Sequence, residues 1–325
     1  MIISQTPLRI SFVGGGTDFE EFYRQYPGRV LSTSIDKHFY ISLNPRFDGT
    51  IKLNYSETEL VDNPSQIKHP LVRAALEEVG VVKGIDIVSL ADLPARKTGL
   101  GLGSSSSFSV GLMNALYSFT GQYASPDILA EKACKVEIEK AGSPIGKQDQ
   151  YAVAFGGLNL ITFNTNGKID VEPVYLRPQV KKDFERHFLA FFTGKERSAN
   201  TILTEQSKNI SEKFNTLKQM SDLVLDFKVA LEKGNFQETG RLLHKNWLLK
   251  KELASSISST QIDEMYNKAL SAGAWGGKIL GAGGGGFLLV MASPDKHSQI
   301  KEALAEYQLI NFRFTEAGSK IIFKN

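Results

Sequence analysis

The sequence predicts an α+β fold, and three observations support this prediction. Segments in which β-branched and aromatic residues alternate with polar ones occur throughout the first half of the chain. Apolar residues recur at helical spacing after residue 107 and again over the long stretch 198–256. Elsewhere strands and helices interleave without the strict strand–helix–strand alternation of a doubly wound sheet.

The elements of the first half follow from local patterns. Predicted strands span residues 2–13, 39–43, 51–55 and 85–90. A helix follows, because four apolar residues recur at helical spacing: Phe108, Leu112, Ala115 and Phe119. Pro126, at a position where a first-turn proline is tolerated, begins a second helix that runs to about residue 140. The segments 155–164 and 168–176 are predicted to pair as a hairpin.

The second half begins where the composition changes. The stretch "RPQVKKD", residues 177–183, is polar and contains a proline. We therefore predict two domains, an N-terminal one over 1–180 and a C-terminal one over 181–325. The predicted elements after the boundary are a strand at 187–193, a helical region at 198–256, a helix at 261–272, a strand at 287–292, a helix at 295–307 and a closing pair of strands.

Composition and charge narrow the class of protein. The chain has 325 residues, 42% hydrophobic and 22% charged, which is typical of a globular protein. Its formal net charge is +3 and its basic residues are dispersed, so neither nucleic acid nor a membrane surface is indicated as a partner. The single cysteine, Cys134, excludes an intrachain disulfide. No basic leader and no run of roughly 18 apolar residues is present. We therefore expect a cytoplasmic protein.

The segment "GLGLGSSSSFSVGLMNAL", residues 99–116, predicts an anion site. A helix N-terminus leaves about four backbone N–H groups without intrahelical partners and carries roughly half a positive charge. Glycines before it allow the chain to wrap closely around a phosphate, and serine hydroxyls donate to phosphate oxygens or ligate a metal. The segment is therefore interpreted as a phosphate-binding loop.

Two other phosphate motifs are disfavoured. No Gly-Lys pair is followed by Ser or Thr, so a Walker-type loop is absent from the sequence. "GAGGGG", residues 281–286, matches the dinucleotide pattern G-x-G-x-x-G, but strand-like "FLLVMA" follows where a helix is required. The glycines are better explained as a turn between two strands or as a loop that allows close backbone approach.

Three separated stretches resemble the signature motifs of one kinase family. They are "TPLRISFVGGGTDF" (6–19), "LPARKTGLGLGSSSS" (93–107) and "KILGAGGGGF" (278–287). In order and spacing they resemble the motifs of the GHMP kinases, the superfamily of galactokinase, homoserine kinase, mevalonate kinase and phosphomevalonate kinase. The resemblance implies an N-terminal domain like ribosomal protein S5 domain 2, a ferredoxin-like C-terminal domain, and ATP with Mg²⁺ between them.

The resemblance also implies roles for particular residues. The loop residues that would hold ATP are Gly99, Gly101, Gly103, Ser104, Ser105 and Ser106. Ser105 and Glu137 would ligate Mg²⁺. The stretch "AGSPIGKQDQYAVAFGG" resembles the galactokinase segment with an aspartate near the attacking hydroxyl, which makes Asp149 the catalytic candidate and Arg9 its partner.

Each of these residues also has a purely structural interpretation. Ser105 could satisfy a backbone N–H at a helix start, Asp149 could cap a short helix running to about residue 155, and Arg9 could stabilise a strand. Glu137 could be a solvated glutamate, although it lies beside the apolar side of its predicted helix. A partly buried carboxylate costs several kcal/mol unless something pairs with it, and magnesium prefers such oxygens.

The first motif bears on the acceptor. Galactokinases carry a Glu-His pair where this chain has Gly15 and Gly16, so galactose is disfavoured, whereas Thr17 and Asp18 match. "RISFVGGGTDFEEFY" and "FFTGKERSAN" are most similar to the D-glycero-D-manno-heptose 7-phosphate kinases and, further off, to the kinase domain of fucokinases. A phosphorylated acceptor needs cations. The candidates for these and for further acceptor contacts are Lys147, Lys195, Arg197, Gly283 and Gly284.

The sequence thus leads to one expected function and several alternatives. We expect an ATP- and Mg²⁺-dependent kinase that phosphorylates the anomeric hydroxyl of a heptose 7-phosphate, its partners being ATP and a small sugar phosphate. The alternatives are a kinase of an unphosphorylated sugar such as fucose and a non-catalytic sugar sensor. Decarboxylases that share the fold need an isoprenoid-diphosphate pocket that the sequence does not reveal. The joint presence of Ser105, Glu137 and Asp149 argues against the sensor.

Overall fold

The computed structural model describes residues 1–93, 100–195 and 199–325. Its strands in these ranges are β1 (Ile2–Val13), β2 (Gly28–Pro45), β3 (Ile51–Asn54), β4 (Thr58–Val61), β5 (Ile85–Ala91), β6 (Leu158–Phe163), β7 (Ile169–Pro173), β8 (Phe188–Phe192), β9 (Gly276–Ile279), β10 (Phe287–Met291), β11 (Gln308–Ile310), β12 (Phe314–Thr315) and β13 (Lys320–Lys324).

The α-helices of the described ranges connect these strands. They are α1 (Glu20–Tyr23), α2 (Pro70–Val79), α3 (Ser104–Phe119), α4 (Pro126–Cys134), α5 (Gln148–Phe155), α6 (Pro178–Arg186), α7 (Ala199–Lys208), α8 (Phe214–Glu232), α9 (Phe236–Lys251), α10 (Thr260–Ser271) and α11 (His297–Ala303). A π-helical segment, Lys135–Lys140, continues α4. None of the described helices is long and apolar enough to cross a membrane.

The first sheet is organised around the long strand β2. Its described strands run in the order β13-β1-β2-β5-β3-β4, with β6 and β12 also paired to β2 and β7 paired to β6. Strand β2 changes partners along its length: residues 28–33 pair with β6, and residues 39–45 pair with β5. Helices α3 and α5 pack on β1 and β2 and bury an apolar core between helices and sheet. The sheet thereby fixes the N-terminal end of α3.

The second sheet is antiparallel and has the order β11-β8-β10-β9 in the described chain. Helix α9 packs on β9 and along α8, and α8 also contacts β2 of the first sheet. Aromatic rings join the two halves, because Phe12 of β1 lies 5.2 Å from Phe188 of β8 and 6.0 Å from Phe227 of α8, measured between ring centroids. Burying such rings contributes several kcal/mol and holds the end of β1 against the second sheet.

Several sequence predictions are confirmed by these elements. Helix α3 begins directly in the serine segment, α4 with its π-helical continuation reaches residue 140, and β6 and β7 form the predicted hairpin. The helical stretch from residue 198 is interrupted and contains α7, α8 and α9. The mixture of helices and strands agrees with the α+β class.

The predicted closing pair of strands is wrong. The last residues form three short strands that do not pair with one another: β11 joins the second sheet, whereas β12 and β13 pair with β2 and β1 of the first. Neighbouring strand signals in the sequence do not specify their partners: β11 and β13 add to the edge strands β8 and β1, whereas β12 pairs with β2 between the stretches that pair with β6 and β5. The second sheet begins at β8, just after residue 180, and the division of the chain into domains at that position remains our proposal.

Candidate active site

Two adjoining cavities open beside the C-terminal part of β1. The first, which we call the serine cavity, has a volume of about 120 Å³ and is bordered by the start of α3 and by Glu137. The second, the lysine cavity, has a volume of about 60 Å³ and is bordered by Asp18, Lys250 and Lys278. Arg9 and Asp149 line both cavities.

The serine cavity contains free hydrogen-bond donors. Gly103 is the N-cap of α3 and has a left-handed backbone conformation, φ +74°, which a glycine adopts without strain. The N–H groups of the first helical turn, residues 104–106, point out of the helix without intrahelical partners. The hydroxyl of Ser104 is buried and has no hydrogen-bond partner among the described residues. This set of donors fits phosphate oxygens.

Glu137 is buried at the side of the serine cavity. It lies on the π-helical segment and is 1% exposed, so a solvated glutamate is excluded. Its carboxylate accepts hydrogen bonds from Ser105 Oγ, from Ser106 Oγ at 3.0 Å and from Gln150 Nε2 at 2.7 Å. Burial raises the pKa of Glu137 despite these hydrogen bonds. No basic side chain of the described residues pairs with it.

Asp149 and Arg9 form a partly buried, two-point ion pair between the cavities. Arg9 Nε donates to Asp149 Oδ1 at 2.7 Å, and Arg9 Nη2 donates to Oδ2 at 2.5 Å. Arg9 Nη1 donates to the carbonyl of Gly101 at 2.7 Å, which ties the pair to the serine segment. Asp149 is the second residue of α5, after the N-cap Lys147, and makes no capping hydrogen bond. The helix-cap interpretation of Asp149 is therefore wrong.

The two glycine segments meet backbone to backbone beside this ion pair. Residues 281–286 form the turn between β9 and β10, as the strand-like sequence after them predicts. A Cβ at Gly281 would lie 2.5 Å from Gly101 Cα, and a Cβ at Gly101 would lie 2.4 Å from the carbonyl oxygen of Leu280. Only glycines allow this approach. Both interpretations of the segment, a turn and a close backbone approach, are thus confirmed.

Asp18 lies at the base of the lysine cavity in a shell of backbone and amide donors. Its carboxylate accepts from Gly16 N at 3.0 Å, from Gln148 N at 3.1 Å and from Gln148 Nε2 at 2.9 Å. Burial raises the pKa of Asp18 above its usual value. A Cβ at Gly146 would lie 2.0 Å from Asp18 Oδ2, so this loop position requires glycine. Both oxygens of Asp18 retain lone pairs that can accept from sugar hydroxyls.

Two buried lysines of the same cavity were missed by the sequence analysis. Lys250 Nζ donates to the carbonyl of Gly281 at 2.8 Å, and Lys278 Nζ donates to the carbonyl of Ser11 at 2.7 Å. Burial lowers the pKa of Lys250 to about 8 and lowers that of Lys278 well below its usual value. A signal for Lys250 exists in the sequence, because it continues the buried helical positions of Leu243 and Trp247.

The other residues predicted for the site differ in their position relative to the two cavities. Gly15 and Gly16 line the lysine cavity, and Thr17 is buried with its hydroxyl bonded to the carbonyls of residues 14 and 29. Lys147 lies outside the cavity, donating to Tyr23 Oη at 3.0 Å. Lys195 is exposed and borders neither cavity. Gly283 and Gly284 follow Ala282, which lines both cavities. Gly99 and Arg197 lie outside the described residues.

Comparison with known proteins assigns the chain to the ATP-dependent phosphotransferases. Residues 66–157 match the family model of the GHMP kinases N terminal domain, and residues 227–308 match that of the GHMP kinases C terminal, together more than half of the chain. The chain belongs to the GHMP kinases and has their two-domain fold.

Individual relatives cover nearly the whole chain. The D-glycero-alpha-D-manno-heptose 7-phosphate kinase of Campylobacter jejuni is 29% identical over 98% of both chains. A galactokinase of Pyrococcus furiosus is 26% identical over 96% of this chain and 94% of its own. A crystal structure named as a D-glycero-D-manno-heptose 1-phosphate kinase of Bacteroides thetaiotaomicron is similar in fold over the full length of both chains, with a TM-score of 0.82 at 24% identity.

Proposed function

We propose that this protein is a sugar kinase that transfers the γ-phosphoryl group of ATP to the anomeric hydroxyl of D-glycero-D-manno-heptose 7-phosphate, giving the 1,7-bisphosphate. One observation carries the proposal: the Arg9–Asp149 ion pair borders both cavities. A triphosphate in the serine cavity and a hydroxyl in the lysine cavity would therefore meet at Asp149. The heptose 7-phosphate kinase of C. jejuni, which matches over 98% of both chains, supports this acceptor.

The transfer requires mainly positioning and charge neutralisation. A bond forms between the anomeric oxygen and the γ-phosphorus, the bond from that phosphorus to the bridging oxygen breaks, the proton of the acceptor hydroxyl passes to Asp149 or to water, and ADP leaves. Asp149 accepts a hydrogen bond from the acceptor hydroxyl and aims its oxygen at the phosphorus. Arg9 fixes the carboxylate through two hydrogen bonds, so the side chain cannot rotate away.

The triphosphate binds at the start of α3. The N–H groups of Ser104, Ser105 and Ser106, together with the unpartnered hydroxyl of Ser104, donate to phosphate oxygens. Gly101 and Gly103 line this cavity, and their left-handed backbone conformations, φ +81° and +74°, turn the chain into the start of α3. The helix dipole adds a favourable interaction with the negative charge.

Ser105 and Glu137 supply oxygens that fit a magnesium ion. The Glu137 carboxylate is buried, carries a charge that no described basic side chain neutralises, and already contacts Ser105 Oγ. No cluster of three His, Cys, Asp or Glu side chains occurs in the described chain, so phosphate oxygens and water would complete the coordination. The bound ion would neutralise charge on the triphosphate.

A panel of acceptors tests the proposed function. ADP release is measured with ATP and Mg²⁺ for D-glycero-D-manno-heptose 7-phosphate, the unphosphorylated heptose, fucose, galactose and mevalonate. We expect turnover of the heptose 7-phosphate, with a kcat/KM about tenfold or more above that of the unphosphorylated sugar, because a charged contact is worth about 1.5–3 kcal/mol. Phosphorus NMR of the product identifies the anomeric phosphate.

Other outcomes of the panel select other functions. Turnover of fucose with none of the heptose 7-phosphate would replace the proposed acceptor by an unphosphorylated sugar. Saturable binding of a sugar without ADP release would favour a sensor. Turnover of mevalonate alone would remove sugars from the proposal altogether.

A Gly15→Ala variant tests which cavity holds the acceptor. The new Cβ would lie 3.6 Å from Lys250 Nζ and 3.7 Å from the terminal atoms of Gln148, so it fills part of the lysine cavity without a clash. We expect the KM for the acceptor to rise about tenfold, because the methyl group displaces part of the sugar. The KM for ATP and the melting temperature are expected to stay unchanged. A rise in the KM for ATP alone would exchange the roles of the two cavities.

A further inference from the structure

We propose that Lys250, assisted by Gln206, binds the phosphate group that the acceptor sugar already carries and so selects phosphorylated over unphosphorylated sugars. This inference rests on the proposed function, and it assigns the phosphate contact to a buried cation that the sequence analysis did not name. It assigns a chemical role to two residues that the kinase reaction itself does not require.

The position of Lys250 is unusual for a lysine. The residue is 4% exposed, at a position of α9 where Leu243 and Trp247 are fully buried. Lys250 lines the lysine cavity, and within the described part of the chain its Nζ makes one hydrogen bond, to the carbonyl of Gly281 at 2.8 Å. Two N–H donors of the ammonium remain for a ligand.

No carboxylate of the described residues is in ion-pair contact with Lys250. The charged groups that face it from the packed elements of the described chain are Arg9, Asp18, Asp149 and Lys278. Neither carboxylate lies within ion-pair distance of it, since Asp149 is held by Arg9 and Asp18 accepts from three N–H groups. A buried ammonium without an anion costs free energy, and a phosphate dianion in the cavity would supply the missing charge.

Gln206 provides a second, independent observation. It is 2% exposed on α7, and both its amide nitrogen and its amide oxygen lack hydrogen-bond partners among the described residues. Gln206 lines the same cavity as Lys250. Both side chains end beside the two glycines that follow β1, because a Cβ at Gly16 would lie 2.3 Å from Gln206 Nε2 and a Cβ at Gly15 would lie 3.6 Å from Lys250 Nζ. An unsatisfied buried amide costs about 1–3 kcal/mol, and a phosphate oxygen would satisfy its N–H groups.

The surface lysines predicted for this role are less suited to it. Lys147 Nζ is bonded to Tyr23 Oη and lies 3.5 Å from Glu20 Oε2, so its charge is already compensated. Lys195 is exposed and borders neither cavity. An exposed cation contributes little to binding because water screens it.

Calorimetry of acceptor binding without ATP tests the inference. The ligands are D-glycero-D-manno-heptose 7-phosphate and the unphosphorylated heptose, and the proteins are wild type, Lys250→Met, Lys250→Arg and Gln206→Leu. We expect Lys250→Met to weaken binding of the phosphorylated sugar about tenfold or more and that of the unphosphorylated sugar less than about twofold. Gln206→Leu should act in the same direction with a smaller change, and Lys250→Arg should retain part of the preference.

The matched control is Lys251→Met, one residue further along α9. Lys251 is partly exposed and pairs with Asp263 at 3.1 Å, outside the cavity. We expect its binding constants for both sugars to equal those of wild type. The melting temperature separates ligand binding from a structural role: Lys250→Met should melt at or above the wild-type temperature, because it removes a buried charge.

The pH dependence supplies a further readout. Because the pKa of Lys250 is about 8, its ammonium is charged below that pH and neutral above it. The phosphate of the sugar stays dianionic above its second pKa of about 6. Affinity for the phosphorylated sugar should therefore fall as the pH rises through 8 in wild type, and the fall should be absent in Lys250→Met and in Lys250→Arg, whose guanidinium stays charged.

The outcomes separate this inference from the proposed function. If Lys250→Met binds both sugars equally more weakly than wild type, or binds both with unchanged affinity, the role of Lys250 is overturned. In that case, turnover of the heptose 7-phosphate by wild type would still support the proposed function. Lysine-dependent binding of the sugar phosphate without turnover would support Lys250 and overturn the kinase reaction on that sugar. Absence of both binding and turnover in wild type would overturn both.

Discussion

An Asp149→Asn variant is expected to lose about 10³-fold or more in kcat, while its KM for ATP stays within about twofold of the wild-type value. The carboxamide lacks the negative charge that polarises the acceptor hydroxyl. Its NH₂ group would also face Arg9, whose Nε and Nη2 now donate to the two carboxylate oxygens. The acceptor oxygen would thus lose both its orientation and its hydrogen-bond acceptor. ADP release under saturating substrates measures the effect.

Two controls accompany this variant. Asp127→Asn changes an exposed aspartate in the first turn of α4, and we expect normal kcat. Calorimetric titration of Asp149→Asn with ATP distinguishes lost chemistry from a collapsed site, because the serine cavity should bind the nucleotide as before. A kcat near the wild-type value would remove Asp149 from the mechanism.

The serine segment could be predicted from the sequence because its information is local. Glycines followed by four serines and an apolar helical repeat specify a loop and a helix start without reference to the rest of the chain. The burial of Glu137 could also be predicted from the sequence, since its spacing from Ala133 and Cys134 puts it beside the apolar side of the predicted helix. The π-helical geometry of the segment that contains Glu137 could not be predicted from the sequence, because it depends on packing.

Lys147 shows that a residue close to Asp149 in the sequence does not have to lie close to it in the site. It precedes Asp149 by two residues, and such neighbours at a helix start point in different directions. Its ammonium accordingly lies at Tyr23 Oη, whereas Asp149 lies at Arg9. A residue's distance along the chain therefore does not indicate which cavity it reaches.

Lys250 was missed because its residue type was given more weight than its position in the helical repeat. Lysine is taken as a solvent-exposed residue wherever it occurs, although its position in the repeat of Leu243 and Trp247 places it on the buried face of α9. A charged residue at a buried helical position is a conflict between residue type and pattern, and such conflicts concentrate at functional sites. Reading the sequence for them would have identified this lysine.

A Glu137→Gln variant is expected to lose about 10²–10³-fold in kcat and most of its dependence on Mg²⁺. The substitution keeps the size of the side chain but removes the buried negative charge, and Ser105, Ser106 and Gln150 all donate to that carboxylate. A neutral amide offers one oxygen where two now accept, so a divalent cation would be held less tightly. Activity measured against the Mg²⁺ concentration gives the first readout.

Thermal melting gives a readout that does not depend on turnover. In wild type, ATP with Mg²⁺ should raise the melting temperature more than ATP with a chelator, since a tighter ligand stabilises the folded state more. In Glu137→Gln the two shifts should be nearly equal. The matched control is Glu139→Gln, an exposed glutamate of the same π-helical segment, which should behave as wild type in both assays. Retention of the Mg²⁺-dependent shift in Glu137→Gln would show that this carboxylate does not hold the metal, and the serine cavity would then need another source of negative charge to recruit it.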